Sequence, residues 1–129
     1  MSVVRSGLIV AALAMGLGSA PAMAQNASEI GYKQGALGVS SMLAGDYANA
    51  AAQLNSLDGV TATDPARLLN LGAAYAGMGR YADAHAAYEK AFWAKPVDLT
   101  LADGSIRSSR SLAREGLRRI EAGSRFASR

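Results

Sequence analysis

Repetition at a fixed spacing constrains this chain more than any other feature. Two glycine-aromatic-alanine clusters, Gly45-Asp46-Tyr47-Ala48-Asn49-Ala50 and Gly79-Arg80-Tyr81-Ala82-Asp83-Ala84, are offset by 34 residues. Leu37-Gly38 and Leu71-Gly72 share that offset, so the register holds across a whole unit. A period of this size marks a chain that stacks one supersecondary unit on the next, because a single unit cannot bury its apolar face alone.

Each unit reads as a helical hairpin. Asp64-Pro65 starts a helix well: the carboxylate caps free amides, and the proline stands where no N–H donor is needed. Leu68, Leu71, Ala74/Tyr75 and Met78 then recur at three-to-four spacing, which predicts a helix over 65–78. Gly79 closes it, as Gly45 and Gly59 close the two helices before it. A second helix over 81–93 carries Ala84, Ala87/Tyr88 and Ala91 on one face. Gly72, Ala84 and Ala91 let paired helices approach closely, and Tyr75, Tyr81 and Tyr88 fill the remaining space.

The period changes after Pro96. Val97, Leu99 and Leu101 alternate with more polar neighbours before Asp103-Gly104, so a short two-stranded ribbon and an ordered loop are both open readings. Ser108 or Ser109 is placed to cap a last helix that runs to Glu121 and stops at Gly123. Its Leu112, Ala113, Gly116, Leu117 and Ile120 make a narrow seam suited to covering the end of the second unit. Residues 124–129 read as a flexible tail.

The N-terminus has the three-part layout of a secretory signal peptide: Arg5, an apolar run from Leu8 to Leu17, and Ala22-Met23-Ala24. Cleavage after Ala24 is expected, and a retained anchor is the less favoured alternative because the run is short for a membrane span. A cysteine-free exported chain of this style suits a bacterial periplasm, so a periplasmic or secreted protein is expected. The 129 residues allow one domain. Lacking cysteine, that domain has neither disulfides nor a thiol nucleophile. Charge is uneven. From residue 25 to 106 five basic residues face eight acids, whereas seven arginines face two acids in 107–129. The basic total therefore belongs to the last helix.

Taking Gly31 and Pro65 as first positions, the second unit reads Leu71, Gly72, Tyr75, Gly79, Tyr81, Ala84, Tyr88, Ala91 and Pro96. This resembles the tetratricopeptide repeat at nearly every signature position. The first unit keeps Leu37, Gly38, Gly45, Tyr47 and Ala50 but has Ser41, Leu54, Leu57 and Ala62 elsewhere, making it a degenerate copy. The resemblance covers residues 31 to 98. It implies an all-α fold: a segment at 25–30, repeats at 31–64 and 65–98 in a short right-handed solenoid, and a hairpin or loop with a capping helix at 99–123. It also implies a groove lined by the first helix of each unit, here Tyr32, Val39, Met42, Leu69, Asn70, Ala73 and Ala76. That surface is small and apolar and suits a peptide or helix held by shape. Only Asn70 matches the charged clamp some members use for a terminal carboxylate. The segment Gln25 to Ile30 is a second candidate to fill it.

Catalytic signals are weak. The single histidine, His85, has only Glu89 at helical spacing, and Asp46, Asp64 and Asp83 stand near helix starts, where capping accounts for them. The expectation is a non-enzymatic, exported protein-binding scaffold with no cofactor or metal, an unidentified protein or peptide partner, and no nucleic acid. The alternative uses Arg107, Arg110, Arg114, Arg118 and Arg119, a basic helix face that a polyanion or anionic lipid surface could bind. A solvated face is the more frequent meaning of such a stripe.

Overall fold

The computed structural model describes residues 8–9, 32–101 and 103–128. The expected leader, apart from Leu8–Ile9, and the segment 25–30 lie outside the described residues. The elements are β1 (Leu8–Ile9), α1 (Val39–Leu43), α2 (Tyr47–Asn55), α3 (Pro65–Gly77), α4 (Tyr81–Trp93), β2 (Asp98–Leu101), β3 (Ile106–Ser108) and α5 (Ser109–Ala127). The protein is mostly helical with one small sheet. β2 pairs antiparallel with β3, setting Leu99 opposite Arg107, and β1 adds two residues in parallel on the other side of β2. Of the two open readings after Pro96, the ribbon is the one that forms. Its turn is held by Leu101 and Ser105 and by the Asp103 carboxylate, which accepts from the Ser105 amide at 2.9 Å.

The helices expected over 65–78 and 81–93 form as α3 and α4. Asp64 accepts from the amides of Ala66 (2.9 Å) and Arg67 (3.2 Å), with Pro65 in the first turn of α3. Asp46 caps α2 in the same way through Asn49. Gly45 and Gly79, the equivalent glycines, have φ of 74° and 73°. Ala84 and Ala91 are fully buried. The ring of Tyr88 lies between α3 and α5, so close that a Cβ on Gly72 would fall 2.8 Å from it and one on Gly116 2.6 Å from it. No residue larger than glycine fits either place without movement.

Three expectations need correction. The first helix of the first unit is a single short stretch of five residues, α1; Tyr32 to Gly38 run in turns, with Gly35 and Gly38 at φ 85° and 64°. Gly38 also lies against the backbone of Ala50, where a Cβ would meet the Ala50 oxygen at 3.2 Å. The last helix does not stop at Gly123 but continues to Ala127. Gly123 does not take the left-handed conformation that would end the helix; it stays in α5 beside the ring of Tyr81, at 3.4 Å from a notional Cβ. Neither candidate serine caps α5 through its side chain: Ser108 makes no such bond, and the buried Ser109 hydroxyl accepts instead from the Val97 amide at 3.0 Å. That bond fastens the ribbon to the helix.

Two tyrosines at equivalent positions each lie beside a glycine of the following helix, with a notional Cβ 2.5 Å from Tyr47 at Gly77 but 3.4 Å from Tyr81 at Gly123. Tyr47 on α2 lies against Gly77 of α3, and Tyr81 on α4 lies against Gly123 of α5. One continuous core joins all five helices and β2, running from Leu37, Val39 and Met42 through Leu54, Leu69 and Tyr88 to Leu99, Leu112 and Ile120.

Candidate functional site

The residues expected to line a groove are placed along α1 and α3. Val39, Met42 and Leu69 are buried in the common core, whereas Tyr32, Ala73 and Ala76 are partly buried at its margin. The expected lining therefore divides into residues packed in the core and residues partly exposed at its margin. Asn70 belongs to the packed group. Its side chain is fully buried, and its Nδ2 donates to the Leu37 carbonyl at 3.0 Å, tying α3 to the turn before α1. Its Oδ1 has no hydrogen-bond partner among the described residues. A buried acceptor left unpaired costs about 1 to 3 kcal/mol.

Tyr32 donates to the Asp64 carboxylate at 3.0 Å, so the residue that caps α3 also holds the entry of the chain into the first unit. Arg67, one turn further, is buried. Its guanidinium donates to the carbonyls of Leu54 (2.8 Å) and Ala62 (3.0 Å) and to Asn55 Oδ1 at 3.4 Å. It thus satisfies carbonyls at the C-terminal end of α2 and in the loop that follows. Burial lowers its pKa from the ordinary arginine value, with Tyr75 and Asp64 opposing. The period of the sequence placed Arg67 on a helix but gave no sign of burial, because its partners come from another element.

The five arginines of the basic face do not share one environment. Arg107 and Arg119 both pair with Glu115, Arg107 at 2.7 Å. The hydrogen bond from Arg107, aided by the charges of Arg119 and Arg118, holds the Glu115 carboxyl below the usual glutamate range. Together with Ser111, Arg118 and Ala122 they line an open cleft. Arg110 and Arg114 lie at a different place, over the ring of Phe92 at 5.8 and 5.7 Å from its centroid. Arg110 also donates to the carbonyls of Phe92 (3.0 Å) and Ala94 (3.4 Å), closing the end of α4.

His85 and Glu89 form an exposed pair on α4 at 3.8 Å. No group of three or more potential metal ligands occurs among the described residues, and no described helix is long and apolar enough to cross a membrane. One feature that sequence reasoning passed over is Trp93, the last residue of α4, whose side chain is 74% exposed. The available signal was its place on the helix, opposite the buried stripe of Ala84, Ala87, Tyr88 and Ala91.

Comparison of the chain with protein-family models, with curated proteins and with solved structures gave no match.

Proposed function

We propose that this chain is an exported helical repeat module of the tetratricopeptide kind, a scaffold rather than an enzyme, which binds a segment of another protein along α3. On this reading α5 stands where the first helix of a third unit would stand. The positions of Tyr47 beside Gly77 and of Tyr81 beside Gly123 support that view, since a second-helix tyrosine lies against the following helix in both places, tightly at Gly77 and at ordinary contact distance at Gly123.

The observation that carries the binding role is the unpaired Oδ1 of the buried Asn70, on the same helix as the partly exposed Ala73 and Ala76. A segment bound across Ala73 and Ala76 would be held there by shape, and where its entry opens the packing over Asn70 it would offer a backbone N–H to that buried acceptor. No charge is required of the partner.

A photocrosslinking amino acid at Ala73, installed in the full chain in intact cells, tests this. The expected result is a discrete adduct with a protein that weakens in the Asn70→Leu background, a change of similar volume that removes the acceptor. A folded protein that yields no adduct, or one indifferent to Asn70→Leu, would sink the reading.

A further inference from the structure

The exposed indole of Trp93 has no role in the core or in the α3 face. It projects from the end of α4 on the side away from the buried residues. Its neighbour Phe92 meets it edge to face, with ring centroids 5.1 Å apart, which restrains the direction of the indole. Phe92 in turn is held by Arg110 and Arg114 from α5. The patch is thus built by two helices, each of which fixes part of it.

Its charge is one-sided. Lys90 lies one turn before Trp93 and Lys95 two residues after it, while Arg110 and Arg114 approach from α5. The acid on the same part of α4 is Glu89, which faces His85 at 3.8 Å. Cations therefore outnumber acids around an exposed aromatic ring. Arg107 and Arg119 are paired with Glu115, whereas Arg110 and Arg114 lie over Phe92 beside Trp93.

We infer that Trp93, with Lys90, Lys95, Arg110 and Arg114, is a contact site for the surface of a bilayer containing anionic lipid. The indole has an apolar body and one N–H donor, the combination that settles at the headgroup level. Surrounding cations are drawn to anionic headgroups and hold the ring at that depth. Trp93 is not among the residues that line the open cleft of Arg107, Ser111, Glu115, Arg118, Arg119 and Ala122. A projecting ring instead needs a yielding partner. The contact is peripheral, in keeping with the absence of a spanning helix among the described residues. It is independent of the α3 binding face.

Trp93 is the chain's single tryptophan, so its fluorescence reports the site directly. Protein purified from cells producing the full chain is titrated with vesicles of phosphatidylcholine alone and with vesicles containing phosphatidylglycerol. The expected result is a blue shift and quenching by brominated lipid only with the anionic vesicles, both lost at high salt. Arg114→Glu, which leaves the Arg110 bonds to α4 in place, should weaken this binding by about tenfold or more while the thermal melt is preserved. Lys90→Glu is a second variant on another helix and should act in the same direction. An unchanged emission with anionic vesicles, an equal shift with phosphatidylcholine alone, or a shift that follows protein concentration without vesicles would overturn the assignment; the last would identify a second copy of the chain as the occupant.

Discussion

Gly38 and Gly72 occupy the same place in the two 34-residue units, yet their surroundings differ. Gly38 precedes a five-residue helix at φ 64°, and Gly72 lies within a helix of thirteen residues. In the second unit the glycine accommodates the ring of Tyr88, which extends across to Gly116. In the first, Leu54 stands at the Tyr88 position, and Gly38 instead receives the backbone of Ala50. Ser41, at the position of Tyr75, replaces an aromatic contact with hydrogen bonds to Gln53 and Asn49 at 3.2 Å each. The same signature letters thus serve two backbones. A full first helix needs the Asp64-Pro65 type of start and packing partners on both sides, and α3 has both, with α2 and α4 beside it and α5 beyond.

Variants at paired positions can break or sharpen this comparison. Truncating the ring that joins three helices should have the largest effect: Tyr88→Ala is expected to cost about 3 to 5 kcal/mol in denaturant unfolding, by analogy with other large aromatic truncations. Leu54→Ala should cost less, toward the lower part of the roughly 2 to 5 kcal/mol range for such changes. Equal losses would mean that the two units share one packing scheme after all.

Burial raises the pKa of Tyr88 to about 12 from its ordinary value of 10.0, against the opposing charge of Arg119. Since the folded form resists deprotonation, this contribution is whole below pH 10 and is lost as pH rises toward 12. The wild-type chain should therefore lose on the order of 2 to 3 kcal/mol relative to Tyr88→Phe over that interval, seen as a steeper alkaline fall in melting temperature. Parallel pH profiles for the two proteins would contradict the burial of the hydroxyl.

Smaller effects follow. Ala84→Leu should overpack α4 and cost about 1 to 3 kcal/mol, measured by thermal melt. Asp64→Ala should cost about 1 kcal/mol through the lost cap and the lost Tyr32 bond, and Asp46→Ala less, since Asp46 caps α2 through Asn49 alone. A reversed order would show that the start of α3 is not what sets the second unit apart.

The second unit was legible because its evidence is local: a cap, a proline, an apolar stripe and a terminal glycine. The ribbon was legible as one of two readings for the same reason, through alternation around Asp103-Gly104. What escaped depends on contacts between distant segments. The shared Leu-Gly pairing hid the break before α1, since Gly38 and Gly72 look alike in sequence. Gly123 reads as a stop in sequence, but it keeps helical dihedrals and α5 runs on to Ala127. The division of the basic face also came from tertiary contacts, as Glu115 draws Arg107 and Arg119 one way and Phe92 draws Arg110 and Arg114 the other. On α3 the periodicity placed Leu69, Asn70 and Ala73, but only the packed structure separated the buried Leu69 and Asn70 from the partly exposed Ala73.

The central structural claim is that α5 completes the second unit and leaves the first comparatively unsupported. Amide hydrogen exchange of the full chain reads this residue by residue. The account predicts that α3, α4 and α5 share the slowest exchange and open together, while α1 exchanges fastest among the helices. Protection of α1 equal to that of α3, or an α5 that opens on its own while α3 and α4 stay protected, would contradict it.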